Sequence, residues 1–297
     1  MKTPRNTKKP AASDSVPAAL SVAAAKRLVE LGACIDFLDQ TGKLVRVRSE
    51  VDARHELAGI ARRFEGAKCV LFERVKGSDH PVLVGLLWNR EIVGSVFGVP
   101  KEQVPFVIAD AIVSWQKDKA ALPARILQEA PANEVVEKKL DLSSLPLPVH
   151  ALKDGGRYLD SSLVLARNPQ TGGLNVSVHR MMVTGKNRLS FLIDPGRHLG
   201  EYVEFAEKRG EPLPVTINNG MGLAPWIVST LPRLGDGKHA IAHHMIGRPV
   251  DLMKAQTGEV PAYADAQFVI EAEILPGVRE FEAPFGEVTG YYGGRDK

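Results

Sequence analysis

Two carboxylates, Glu282 and Glu287, bracket the turn Ala283-Pro284-Phe285-Gly286 near the end of the chain. Pro284 fixes one φ and Gly286 permits a positive one, so the backbone can reverse and bring both acids toward one point. Paired acids are a general acid/base signature, because two neighbouring carboxylates do not both ionise cheaply and one stays protonated, ready to donate. The same spacing also describes two solvated glutamates on a surface turn, and a short motif alone does not choose between the two.

Three further stretches concentrate polar chemistry. Asn175-Val176-Ser177-Val178-His179-Arg180 sets an amide, a hydroxyl, an imidazole and a guanidinium inside a β-type alternation. In a regular strand Asn175, Ser177 and His179 face one side and Val176, Val178 and Arg180 the other. Asn175 and Arg180 then share a site only if the strand bulges or the site wraps its end. Asp194-Pro195-Gly196-Arg197-His198-Leu199-Gly200 is a Pro-Gly turn entering a helix. A helix start attracts anions, and Arg197 and His198 add charge and a possible metal ligand, which fits a phosphate site; a capped turn with His198 only as a hydrogen-bonding partner fits the stretch equally. His239, His243 and His244 lie on a predicted helix, the first two one turn apart, a spacing that can clamp a metal. Ala240 stands where a zinc-protease helix carries its glutamate, which favours packing or substrate contact instead. The chain has no Walker loop, no strand-linked G-x-G-x-x-G and no Ser or Cys in a nucleophile context.

These groups need a scaffold. Helical spacing over 18–31 with Gly32 as a stop, a strand at 44–48, a helix at 56–64, strands at 69–75 and 82–87 and a helix at 102–115 predict an α/β layer domain over 18–118. Pro-, Ala- and Glu-rich residues 119–150, including Leu145-Pro146-Leu147-Pro148, read as a linker. From residue 151 onward strands dominate, at 161–166, 174–183, 190–193, 215–218 and 268–274. Two helices, 200–208 and 238–245, interrupt them, which predicts a β-barrel or two-layer sheet.

A length of 297 residues allows about two domains, and 44% hydrophobic residues suit a globular protein. The net charge of +3 is scattered, its one basic cluster lying in residues 1–17, a Pro-, Ser-, Ala- and Lys-rich stretch read as a disordered tail. Nucleic acid is not expected as a partner, and no apolar run reaches the roughly 18 residues of a membrane span. Cys34 and Cys69 are isolated in apolar surroundings, so neither a disulfide framework nor a zinc motif is indicated and a reducing cytoplasm fits.

Taken together, the 175–180 strand, Arg197-His198-Leu199-Gly200 and the 282–292 segment make the chain resemble the UbiD-type decarboxylases, which use prenylated flavin mononucleotide. Asp154-Gly155-Gly156-Arg157-Tyr158, Gly247-Arg248-Pro249-Val250-Asp251-Leu252 and Val269-Ile270-Glu271 extend the similarity, which runs from about Ser21. The resemblance implies an α+β protein whose α/β layer domain precedes a split, flavin-reductase-like β-barrel over 151–297. It implies that Arg180, Glu282 and Glu287 form the catalytic network. Asn175, Ser177, Val178, Arg180, Arg197, His198, Ser229 and Thr230 would contact the cofactor. Asn175 and His198 would ligate a divalent metal, manganese, that bridges to the cofactor phosphate, and Ser229 and Thr230 would also line a potassium site. The family's third metal ligand is a glutamate, but Lys238 stands there, and a charged lysine offers no lone pair. Asp236 is the nearest alternative carboxylate, and His243 and His244 occupy positions that are small in the family. Family members continue into a third domain that closes the active site, so a chain ending at Lys297 is expected to be truncated or one part of a split enzyme.

The expected reaction is non-oxidative decarboxylation, or its reverse, of an aromatic or α,β-unsaturated carboxylic acid. Loss of carbon dioxide from such a carbon leaves an undelocalised anion, and acid/base help supplies only about 10²- to 10⁴-fold. Enzymes commonly reach roughly 10⁶-fold or more, so an electron sink is required, and a modified flavin provides one. A flavin prenyltransferase would supply it, and the complete enzyme would be a homo-oligomer. The competing readings are a non-catalytic flavin- or partner-binding protein and a metal-dependent hydrolase built on the histidine helix.

Overall fold

The computed structural model describes residues 20–119, 124–232, 237–287 and 290–292; the tail expected over 1–17 lies outside them. The hydroxyl of Ser21 accepts the Ala24 amide at 3.2 Å and caps α1 (Val22–Val29), whose Ala24, Ala25, Leu28 and Val29 are buried. Helix α2 (Leu31–Gln40) follows at once. The break is Glu30, extended at φ −88° and ψ 115°, and not Gly32, which lies inside α2. Next come β1 (Leu44–Val47), α3 (Glu56–Arg62), β2 (Cys69–Phe72) and β3 (Val82–Val84), with β1 parallel to β2 and β2 antiparallel to β3. Helix α4 (Arg90–Phe97), absent from the expected elements, starts at Asn89, whose side chain accepts the Glu91 amide at 2.7 Å, and stops at left-handed Gly98. Helix α5 (Val104–Lys117) completes this half.

Strand β4 (Ala124–Leu127) arises within the stretch read as a linker. There follow β5 (Tyr158–Arg167), β6 (Leu174–Gly185), β7 (Arg188–Phe191), α6 (His198–Lys208), β8 (Leu213–Asn219), α7 (Leu223–Thr230), α8 (Lys238–Ile246), β9 (Val250–Met253), β10 (Ala262–Tyr263) and β11 (Phe268–Ile274). Among the described residues three helices interrupt the strands of this half, where two were expected; α7 was hidden because it is apolar on every side and shows no stripe. The chain is an α+β protein whose main sheet, in the order β11-β8-β5-β6-β7, is antiparallel throughout and curls as half of a split barrel. A smaller sheet joins β4, β9 and β10, with β4 parallel to β9. Asp251 on β9 accepts from both Arg125 and Arg248, which ties β4 to the turn after α8.

The main sheet carries apolar cores on both faces. On one face Leu163, Leu165 and Val176 meet a large cluster from α1, α2, α4, α5, α7 and α8. On the other, Leu159, Val164, Ala166 and Met181 meet Leu199, Tyr202 and Val203 of α6. The β5–β6 register shifts between Leu159 and Ser162, so Asp160 and Ser161 together oppose Arg180. The bulge that would let Asn175 and Arg180 share one side is thus not in their strand but in its neighbour, and β6 keeps its alternation there. Asn175, Ser177 and His179 remain on the face opposite Arg180.

Gly222, at the start of α7, donates its amide to Val29 O at 2.9 Å, and a Cβ there would lie 2.4 Å from Leu28 O. Gly222→Ala is therefore expected to lower unfolding stability by about 1–3 kcal/mol. Urea unfolding reads this directly, and an unchanged midpoint would refute the close seating of α7 on the end of α1.

Candidate active site

Arg180 comes from the middle of β6 and the two acids from the turn after β11. Its Nε donates to Glu282 Oε1 at 2.7 Å and its Nη2 to Glu282 Oε2 at 3.0 Å, a two-pronged pairing, while Nη1 donates to Glu287. Hydrogen bonding from Glu282 raises the guanidinium pKa; burial opposes it, and Glu287 reinforces the rise. The side chain of Glu282 is 6% exposed and that of Glu287 38%. The two carboxylates do not meet across a shared proton, as the turn's spacing suggested. Each meets the same cation, which removes the like-charge cost of placing them together.

The turn is clamped from beneath by residues 151–158. Gly155 donates its amide to Pro284 O at 2.8 Å, the Tyr158 hydroxyl donates to Ala283 O at 2.8 Å, and Asp154 accepts the Gly286 amide at 2.9 Å. Position 155 must be glycine, since a Cβ there would fall 1.8 Å from that of Ala283. Phe285 fills the space between, its ring 4.6 Å from that of Tyr158 and 5.3 Å from Arg180 Cζ. Burial, and then the charge of Glu282, push the Tyr158 hydroxyl up to about 12, so it stays a donor. Further out, Glu287 donates its amide to Tyr291 O at 2.8 Å and the Tyr292 hydroxyl accepts the Lys153 amide at 3.1 Å. Sequence reasoning noted 154–158 only as a point of similarity; the Gly-Gly pair beside a tyrosine was the signal for a close backbone contact.

A cleft of about 1450 Å³ passes this turn, lined by His150, Tyr158, Asp160, Gly286, Glu287 and Tyr291 among others. Glu287 reaches it; Arg180 and Glu282 lie behind. Asn175, Ser177, Val178, Arg197, His198, Ser229 and Thr230 do not line it.

Lys238 links the elements that carry several of them. Its Nζ donates to Val176 O at 2.7 Å and Ser229 O at 3.1 Å, so β6, the end of α7 and the start of α8 converge on one ammonium. Asn175, 1% exposed, buries an Oδ1 that has no partner among the described residues. Ser177 and His179 pair at 2.9 Å, and burial pulls the imidazole down to about 4, which keeps it neutral. Val178 packs against the helix-side core. Arg197 caps α6 and lies 3.4 Å from Asp194, and the ring of His198 stacks over Tyr202 with centroids 6.4 Å apart. The hydroxyls of Ser229 and Thr230 donate back to Trp226 O at 2.6 Å and Ile227 O at 2.7 Å.

This donor set does not fit a divalent metal. Asn175 and His198 are neutral ligands, a hard cation such as manganese takes carboxylates, and the third position holds a cation. No group of three or more His, Cys, Asp or Glu able to hold a metal exists among the described residues, and Asp236 lies outside them. The histidine helix is no metal clamp either. His239 is buried, hydrogen-bonded to the Tyr263 hydroxyl at 3.1 Å and pulled down to about 4 by burial, while His243 and His244 meet edge to face.

Residues 125–297 match the family model described as the 3-octaprenyl-4-hydroxybenzoate carboxy-lyase Rift-related domain, UbiD, and residues 35–112 match the N-terminal domain of the same carboxy-lyase. An uncharacterised protein encoded 5′ of cooM in Rhodospirillum rubrum is 46% identical over 270 residues, covering 89% of this chain and 58% of that protein. Anhydromevalonate phosphate decarboxylase of Methanosarcina mazei is 32% identical over 261 residues, covering 87% of this chain and 58% of that protein. An evolved dimeric form of the UbiD-class enzyme HmfF from Pelotomaculum thermopropionicum, solved with prFMN, superposes with a TM-score of 0.82 at 38% identity, over 90% of this chain and 62% of that one. The chain thus spans about three fifths of the length of the relatives it matches. Since models of one family account for both of its halves and a solved member shares its fold, the chain belongs to the UbiD family.

Proposed function

We propose that this chain carries the acid/base machinery of a non-oxidative decarboxylase, and of the reverse carboxylation, acting on an aromatic or α,β-unsaturated carboxylic acid with prenylated FMN. The observation that carries the reading is one guanidinium shared by a buried and a half-exposed carboxylate, with the second of these on the wall of a cleft. The decarboxylase and carboxy-lyase names of the relatives and the prFMN bound to HmfF support it. The cofactor, when bound, supplies the electron sink that no side chain offers.

The protein's part is positioning and proton traffic. Arg180 has five N–H donors and spends three on the two glutamates, which leaves two for the carboxylate of a substrate. Glu282, held in both prongs of the fork, fixes the plane of the guanidinium and does not reach the cleft. Glu287 faces the cleft and delivers the proton to the carbon from which carbon dioxide departs. With the cofactor bound to take up the electron pair of the breaking C–C bond, that pair would return to carbon in a new C–H bond with a proton relayed from cleft water through Glu287, so one carbon dioxide leaves for each proton taken up. Manganese receives no step, because Lys238 occupies the place of the third ligand it needs. Cofactor supply by a flavin prenyltransferase and homo-oligomeric assembly belong to the same proposal, as does an α/β layer domain ahead of a flavin-binding one. No helix among the described residues is long and apolar enough to cross a membrane. Cys34 and Cys69 are buried free thiols, pushed up to about 12 chiefly by burial, as a reducing compartment permits.

Co-expression with a flavin prenyltransferase, followed by the visible spectrum and carbon dioxide release from cinnamate-like and hydroxybenzoate-like acids, tests the reading. Bound flavin with release is expected; bound flavin without release would leave a binding protein, and bound zinc without flavin would leave the hydrolase. In the active protein Glu287→Gln is expected to lower kcat by about 10²- to 10⁴-fold while flavin content and melting temperature stay at wild-type values. Wild-type turnover by that variant would remove Glu287 from the mechanism. Arg180→Lys, which loses the planar fork, is expected to lose turnover and also to melt lower, because Glu282 stays buried with a poorer partner.

A further inference from the structure

Lys238 is a buried charge that no carboxylate balances among the described residues. It is 4% exposed, and no carboxylate among the described residues lies within ion-pair distance. Burial, with the charge of Arg197 second, pulls its pKa down to about 8, which leaves the ammonium protonated at neutral pH. A lysine that only filled space would be replaced without loss by an apolar side chain, since an uncompensated ion costs stability. Two of its three N–H donors are committed to backbone carbonyls, Val176 O and Ser229 O. Converging carbonyls are the surroundings of a monovalent cation, and here the cation is covalently part of the chain.

Its neighbours carry the same sign. Arg197 sits at the start of α6 and Lys238 at the start of α8, and the charge of Arg197 is felt at Lys238. The hydroxyls of Ser229 and Thr230 have each given their one proton to an α7 carbonyl. They can accept but not donate, which leaves the two cationic side chains as the donors for an anion. Asn175, next to Val176 in the chain, buries a side-chain oxygen that has no partner among the described residues.

We propose that Lys238 is the resident cation here: held by Val176 and Ser229, it receives the phosphate of a flavin mononucleotide and makes a bound metal ion unnecessary. The inference rests on the flavin reading above and goes further, because it assigns cofactor anchoring to a side chain at the position where the family resemblance calls for a metal ligand. A divalent ion beside this ammonium would meet like charge, and a neutral ligand would leave the ammonium without a counter-ion.

The test is a flavin-fluorescence titration of the purified protein with FMN and with riboflavin, in chelator-treated sodium buffer and again with Mn²⁺ and K⁺ added. FMN is expected to bind equally in both buffers, and riboflavin, which lacks the phosphate, about tenfold more weakly or worse. Lys238→Met is expected to weaken FMN by a similar factor, with riboflavin unaffected and the melting temperature no lower than wild type, which separates lost binding from lost folding. Lys238→Glu restores a carboxylate and is expected to make FMN binding depend on added Mn²⁺, with metal analysis rising from none to one ion per chain. Wild-type protein that binds FMN only with added metal, or Lys238→Met that binds FMN as wild type does, overturns this inference and leaves the flavin reading standing. Failure to bind FMN in either buffer overturns both.

Discussion

A carboxylate excluded from water needs a cation, and Glu282 has one because β6 delivers Arg180 to it across 102 residues of chain. Most of what surrounds the turn follows from that pairing. The one-residue bulge of β5 opposite Arg180 sets the local twist. Asp154, Gly155 and Tyr158 then hold the backbone of 283–286 so that Glu287, the second acid, reaches the same guanidinium while still touching the cleft. The arrangement resolves the conflict between two like charges by supplying one opposite charge to both.

Strand β6 does two jobs at fixed separation. Through the carbonyl of Val176 it helps to hold Lys238, and four residues later it presents Arg180. At ~3.3 Å per residue those points lie ~13 Å apart along the strand. The proposed anchoring of a ligand's anion at Lys238, with its reactive ring at the acids, requires a ligand of about that length. The apolar cores on both faces of the sheet hold the strand straight enough for the spacing to be dependable.

Alternation over 174–183 and 268–274 was legible because a half-buried strand repeats every two residues, and the helix over 104–117 because its apolar stripe repeats every 3.6. Helix α7 was not, since Leu223 to Thr230 is apolar all round, and β4 was masked by prolines nearby and by a strand partner 126 residues away. Helix α4 carried readable signals in Asn89 and Gly98 that were overlooked. Within the site, spacing alone suggested that Glu282 and Glu287 converge and that the strand of Arg180 carries chemistry, but the pairing of Arg180 with the two acids entered only through family resemblance, because contacts over a hundred residues leave no local trace. Lys238 was seen as a departure, yet its role was invisible, since its partners are backbone carbonyls that every residue possesses.

The central claim is that Arg180 and Glu282 form one buried electrostatic unit and not a surface ion pair. A double-mutant cycle on unfolding free energy, with Arg180→Met, Glu282→Gln and the pair combined, measures that coupling directly. A coupling of about 1.5–3 kcal/mol is the predicted result, as for a hydrogen bond between charged groups out of water. A value within about 0.5 kcal/mol of zero, as exposed pairs give, would contradict it.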